Sequence, residues 1–101
     1  MYRQASIGTI IIDYVCGSVK GTFKVENGLH ATCQQVLKAL AKNLNTTLDK
    51  IKFSGQHSGL NAYLSDLCSR NTIFAATFLT EEEYHQLHKH NVAMAILHVS
   101  V

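Results

Sequence analysis

Histidines are the residues whose types and spacing come nearest to a reaction centre in this chain. Three of them, His85, His88 and His90, form the pattern H-x-x-H-x-H near the C-terminus. Residues three apart share a helix face, so His85 and His88 could supply two metal ligands. A zinc site needs three or four, and a third would have to come from His57, His98 or a distant cysteine. The alternative is a solvated helix end, where a protonated histidine complements the dipole. We therefore predict no metal or cofactor.

The three cysteines are not spaced as a zinc knuckle or as a complete disulfide framework, because Cys16, Cys33 and Cys68 are an odd set without C-x-x-C. A cysteine nucleophile with a histidine base is the catalytic alternative, but no local signature surrounds any of them. Cys33 falls on an apolar helix stripe and Cys68 follows Leu67, which favours small core hydrophobes. Free thiols indicate a reducing compartment, so we expect a cytoplasmic protein.

The composition predicts one folded domain over residues 1–101. A chain of 101 residues, 47% of them apolar, can bury a core without metals or disulfides. The formal charge of +2 does not favour nucleic acid, because domains that bind phosphate backbones carry a stripe of positive charge. Residues 1–52 hold seven Lys or Arg against three acids, whereas residues 53–101 hold two against four. No charged leader opens the chain and no apolar run approaches the ~20 residues of a membrane helix, so we expect a soluble protein without a membrane partner.

The first half of the chain predicts a β-hairpin followed by a helix. Residues 7–15 are rich in β-branched types, Cys16-Gly17-Ser18 indicates a turn, and residues 19–26 alternate apolar and polar side chains. Residues 32–44 carry apolar side chains at helical spacing and begin with a Thr–Gln capping box. This helix is the main one that the sequence predicts.

The second half predicts apolar strands around a second helix. A short strand is expected at residues 50–54, followed by a glycine-containing loop and one helical turn. Residues 71–79, NTIFAATFL, have no polar face, which is typical of a strand covered on both sides. Residues 80–90 begin with a Thr–Glu capping box and carry three glutamates in the first turn, which predicts a helix. Residues 92–100 predict a last, almost wholly apolar strand.

This order of elements resembles the ubiquitin-like β-grasp. The interval from Val25 in the second strand, through Phe53, to Leu64-Ser65-Asp66 matches ubiquitin without a gap, and the resemblance covers about residues 9–79. It implies an α+β fold in which a mixed sheet of four to five strands packs on one main helix, with residues 80–101 outside the usual core. Ubiquitin-like modifiers end in a Gly-Gly tail, whereas this chain ends AILHVSV, so conjugation is not implied. The resemblance does imply binding of other proteins through the sheet surface.

The segment Asn27–Ala31, NGLHA, is also similar to the active loop of the HPr phosphocarriers, in which a histidine at a helix N-terminus is phosphorylated. Unpaired N–H groups and the helix dipole hold the phosphoryl oxygens in such a loop, so the resemblance makes His30 a phosphorylation candidate. The family pattern continues with arginine and proline, where this chain has Thr32 and Cys33, and a bidentate donor is therefore missing. The other interpretation is an exposed histidine that precedes a helix cap.

Basic residues on the second strand form the candidate binding surface. Lys20, Thr22 and Lys24 lie on its open face, and Lys52 of the third strand could lie beside them. Such a patch either binds a partner or only keeps an exposed strand soluble.

Uncovered sheet surface gives the main functional inference. Two terminal strands lack a polar face, and a second helix of about eleven residues is only ~16 Å long, too short to cover a five-stranded sheet. Apolar sheet surface should therefore meet a protein partner or another copy. We predict a non-enzymatic interaction module, acting as an adaptor, regulator or inhibitor, that forms a homo-oligomer. A phosphohistidine carrier using His30 and a histidine metal site are the alternatives.

Overall fold

A computed structural model of the chain describes residues 8–90 and 92–101. These residues form an α+β fold with one four-stranded mixed sheet and four α-helices, which confirms the predicted α+β class and the mixed sheet. The elements, in chain order, are β1 (Thr9–Cys16), β2 (Val19–Glu26), α1 (Cys33–Asn43), a first 3₁₀ helix (Leu48–Lys50), β3 (Lys52–Phe53), a second 3₁₀ helix (Gly55–Tyr63), α2 (Leu64–Ser69), α3 (Phe74–Phe78), α4 (Glu81–His90) and β4 (Val92–Ser100). None of the helices within the described ranges is long and apolar enough to cross a membrane.

The sheet has the strand order β2-β1-β4-β3. β1 and β2 form the predicted antiparallel hairpin, and Gly17 adopts the left-handed φ of 62° that its two-residue turn requires. The first strand of this hairpin was predicted to begin at Ile7, and that residue lies outside the described part of the chain. β4 runs parallel to β1 and antiparallel to β3. The C-terminal strand thus lies in the middle of the sheet, and the expectation that residues 80–101 stand outside the core is wrong for this strand.

One side of the sheet carries the hydrophobic core. Alternate residues of β1 and β4 point into it, as do Phe53 of β3 and the buried stripe of α1. The largest fully buried side chains are Phe74, Ile10, Ile12, Leu37, Leu40, Leu87, Leu97, Val36 and Cys33. Because α1, α3 and the strands all contribute to this one cluster, the helical layer is built against a single sheet face.

α1 begins and ends with the capping chemistry that its sequence encodes. The Thr32 hydroxyl accepts from the Gln35 N–H at 3.2 Å, and the Gln35 side chain accepts from the Thr32 N–H at 3.0 Å, so the predicted capping box is confirmed. At the other end, Asn45 adopts φ 56° and the Thr46 N–H bonds the Ala41 carbonyl, the 6→1 bond of a Schellman motif. α4 has the second predicted box, between Thr80 and Glu83.

The predicted strand at residues 71–79 is wrong, because residues 74–78 form α3. Phe74, Ala75 and Phe78 are all buried, and this i, i+1, i+4 spacing places them on one side of a helical turn. The rings of Phe74 and Phe78 stack with centroids 4.6 Å apart. A short run without polar residues looks the same whether it is a buried strand or a buried helix. Only Ile73 pairs as a strand residue, through one bridge to Thr32.

The segment between the short β3 and α3 is more helical than predicted. The predicted strand at residues 50–54 is reduced to Lys52–Phe53, which follows the first 3₁₀ helix directly. The predicted loop and single turn form the second 3₁₀ helix and α2. Asn61 holds this segment to β3, because its side chain accepts from the Phe53 N–H at 2.6 Å and donates to the Phe53 carbonyl at 2.8 Å.

Gly21 is required by the packing of Tyr14. The two residues face each other across the hairpin, and a Cβ at position 21 would overlap the Tyr14 ring. Since Tyr14 is itself buried in the core, its ring has no free space to enter. We expect Gly21→Ala to lower the free energy of unfolding by about 1–3 kcal/mol, the usual cost of overpacking, as measured by urea denaturation.

Gly59→Ala is the matched control, because a Cβ there meets no atom within 4 Å. We expect its free energy of unfolding to change by less than about 1 kcal/mol. Equal losses in the two variants would contradict this account of Gly21.

Candidate functional site

The sheet face opposite α1, called the outer face below, is the surface that the described helices leave uncovered. Its residues alternate along each strand with the buried core residues, and the strand registers place them side by side. The outer-face residues are Lys20, Thr22, Lys24 and Glu26 of β2; Thr9, Ile11, Asp13 and Val15 of β1; Val92, Met94, Ile96, His98 and Ser100 of β4; and Lys52 of β3.

β4 supplies the exposed apolar centre of the outer face. Its residues alternate strictly between exposed and buried, so this almost wholly apolar strand has one open face. Val92, Met94 and Ile96 are 46%, 50% and 49% exposed. Large apolar side chains half in water on a central strand form a continuous patch rather than scattered single exposures.

β2 supplies a basic rim to this patch. Lys20, Thr22 and Lys24 are all exposed on the outer face, as their alternation predicts. The Thr22 hydroxyl donates to an Asp13 carboxylate oxygen at 2.8 Å, so the acid on β1 is partly satisfied within the sheet. The rim therefore presents two lysine charges and the carboxylate of Glu26, a net charge of about +1, beside the apolar centre.

Lys52 does not belong to this rim. It pairs with Ser100 on β3, and β3 and β2 are the opposite edges of the sheet. The expectation that Lys52 lies beside Lys20 and Lys24 is thus wrong, because it assumed a neighbouring strand.

α4 supplies an acidic rim on the β3 side. Glu82, Glu83 and Gln86 line a groove with the β4 residues Val92 and Met94. A second groove places Glu83 beside Ile96 and His98. The apolar centre therefore lies between a basic rim on β2 and an acidic rim on α4.

His30 is exposed and lies just before the cap of α1. Its N–H donates to the Asn27 carbonyl at 2.8 Å in the turn that leads from β2. The nearby helix N–H groups are engaged, since the Cys33 N–H donates to the Thr72 carbonyl at 2.7 Å and the Gln35 N–H to the Thr32 hydroxyl. These donors are therefore already used by the protein rather than directed at a phosphoryl group.

Two of the histidines of α4 lie on its exposed surface. His85 and His88 are both exposed, and His85 has Glu81 at 3.9 Å one turn away. His57 differs from these two histidines because it is buried. It packs against Phe78, and its Nε2–H donates to the Phe78 carbonyl at 3.2 Å. No group of three or more metal-ligating side chains occurs within residues 8–90 and 92–101.

The cysteines are packed rather than activated. Cys33 is fully buried, and burial raises the pKa of its thiol to about 11 against a hydrogen bond with Thr77 that lowers it. Burial also raises the pKa of the half-buried Cys68. A nucleophilic cysteine needs a lowered pKa, so the prediction that these two residues are core hydrophobes agrees with their surroundings.

A groove of about 720 Å³ lies between the first 3₁₀ helix and α2. Its floor is apolar, with Leu48, Ile51 and Leu64 among the lining residues. Two of its polar side chains have partners: Asn61 bonds the backbone of β3, and the Thr47 hydroxyl donates to Asp49, which lowers the pKa of that carboxyl.

Sequence reasoning named the basic rim but missed the residues at the centre and on the acidic side of the outer face. The alternation of β4 is invisible when both faces are apolar, so Met94 and Ile96 could not be separated from their buried neighbours. One signal was present: the inward positions 93 and 95 are alanines, which suit a crowded core. The proximity of Glu82 to β4 depends on tertiary packing and has no local signal.

Comparison with known protein families, with curated proteins and with solved structures gives no match for this chain. The function is therefore inferred from the residues of the outer face.

The alkylation rate of Cys33 tests whether its thiol is activated as a nucleophile. With its pKa near 11 instead of 9.0, the native thiol holds about 100-fold less thiolate at neutral pH, and burial slows its attack further. We expect iodoacetamide at pH 7.5 to alkylate native Cys33 at least about 100-fold more slowly than the same residue in urea-unfolded chain, measured by peptide mass spectrometry. Equal rates would indicate an activated nucleophile instead.

Proposed function

We propose that this chain is a non-enzymatic protein-interaction module that binds a protein partner through the outer face of its sheet. The observation that carries the proposal is the half-exposed row of Val92, Met94 and Ile96 on a central strand. Burying such apolar surface contributes about 25 cal/mol per Å², and α4 borders the row while leaving it half exposed. Charged residues on both sides of the row would orient the partner.

We further propose that the fold is a ubiquitin-like β-grasp. The β1–β2 hairpin, the packing of α1 across one sheet face and the parallel pairing of β1 with the last strand support this assignment. In the proposed assignment β4 occupies the place of the final strand, for which residues 71–79 had been predicted. The likeness supports a role as an adaptor, regulator or inhibitor, since protein binding through the sheet is the habit of non-conjugating members of that class.

The other two candidate functions receive less support from the arrangement of the chain. A phosphohistidine carrier would need free N–H donors near His30, and those of Cys33 and Gln35 have protein partners. A metal site on His85 and His88 would need a third ligand. The raised thiol pKa values of Cys33 and Cys68 favour protonated, unreactive thiols at neutral pH.

Photocrosslinking in the native cell tests the proposed function. A photoreactive amino acid at Met94 should yield discrete covalent adducts, because the partner covers this position, whereas the same group at the exposed Lys42 on α1 should not. Adding Ile96→Lys to the Met94 probe should remove the adducts. Tyr63→Lys, at an exposed aromatic residue that lines neither groove of the outer face, should leave them unchanged. Identical patterns from Met94 and Lys42 would refute binding through this face.

A further inference from the structure

We propose, as an extension that rests on the proposed function, that the occupant of the outer face is a second copy of this chain. The two sheets would pack face to face about a two-fold axis that lies between them and runs parallel to the strands. This occupant and this axis follow from the charges on the two rims and from the registers of the sheet.

A two-fold axis parallel to the strands exchanges the two edges of the sheet but keeps every residue at its own height. The basic rim on β2 of one copy then faces the α4 side of the other copy. Lys24 pairs in register with Ile11, and Ile11 with Met94, so Lys24 is at the height of Met94. Glu82 lines the groove at Met94. The lysine of one copy is thus set opposite the glutamate of the other, twice in each dimer.

A two-fold axis perpendicular to the strands gives the opposite result. It places each edge over the same edge of the second copy, so that Lys20 and Lys24 face lysines and Glu82 faces glutamates. Like charges across an interface are unfavourable. The charges therefore favour the axis parallel to the strands.

The apolar centre and its one acid also fit this arrangement. β4 of the second copy covers β1 of the first, which brings Ile96 of the second copy to the height of Asp13. His98 lies one side-chain step further along the same strand, about 7 Å away. Asp13 thus lies opposite Ile96 of the second copy and retains its hydrogen bond from Thr22.

The area of the outer face is sufficient for a reversible dimer. Three strands of at least eight residues, about 4.8 Å apart and about 3.3 Å per residue, give roughly 14 by 26 Å, and the two-residue β3 adds about 30 Å², so each copy offers about 400 Å². Two copies would bury about 800 Å², the size of a weak, transient contact, and the α4 rim adds to this. We expect a dissociation constant of about 1–100 μM.

Sedimentation equilibrium of the purified full chain over about 1–500 μM tests the proposal. The wild type should dimerise, and Lys24→Glu should raise the dissociation constant about tenfold or more, because it turns two attractive contacts of each dimer into repulsive ones. Glu82→Lys alone should do the same. Combining the two substitutions restores both pairs and should return the constant to within about threefold of wild type.

Lys38→Glu, at an exposed lysine of α1 away from the outer face, is the matched charge control and should leave dimerisation unchanged. Circular dichroism should show native spectra for all variants, since every substituted side chain is exposed.

A dimer that is indifferent to Lys24→Glu, or that the double substitution fails to restore, would overturn the proposed axis. A monomer at every concentration would overturn the second copy as occupant. Adducts of Met94 with a different protein would then leave the proposed function standing, whereas their absence would remove both.

Discussion

The structure depends on the unequal covering of its two sheet faces. Burial of apolar surface drives folding, and helices α1 and α3 supply that burial on one face only. β4 is apolar on both faces and lies between β1 and the short β3, which pairs with its residues Val99 and Ser100. The same strand thus completes the core through Ala93, Ala95 and Leu97 and leaves Met94 and Ile96 half in water.

Charged side chains of opposite sign lie on the two sides of this uncovered strand. The lysines of the first half of the sequence include two on β2, and the glutamates of the second half begin α4, so a sequence-level asymmetry becomes two rims of opposite sign. Charged rims keep an apolar face soluble and also restrict the orientations in which it can be covered. The proposed dimer uses both properties, because one two-fold axis pairs the unlike rims and lays the apolar row of each copy on β1 of the other.

Features written in local spacing could be predicted, whereas features created by the topology could not. The hairpin, α1 and both capping boxes follow from alternation, helical periodicity and Thr-x-x-Gln or Thr-x-x-Glu patterns. α3 was mistaken for a strand because Phe74, Ala75 and Phe78 suit either element once their partners are unknown. The wrong placement of Lys52 and the missed role of Glu82 share another cause: strand order and helix docking decide which residues become neighbours. An uncovered apolar sheet surface could be anticipated from the shortage of helix, but the strand that bears it could not.

Solvent accessibility of the Met94 methyl group tests most directly whether the outer face is an association surface. The chain contains two methionines, so ¹³C-methyl labelling gives a spectrum in which Met94 can be assigned by a Met94→Leu variant. In dilute samples a soluble paramagnetic chelate should relax this methyl strongly, because the side chain is half exposed. We predict that the relaxation enhancement falls as the protein concentration rises through the dissociation constant, as the methyl becomes covered. A constant enhancement at every concentration, and after addition of an extract of the native cell, would contradict the account.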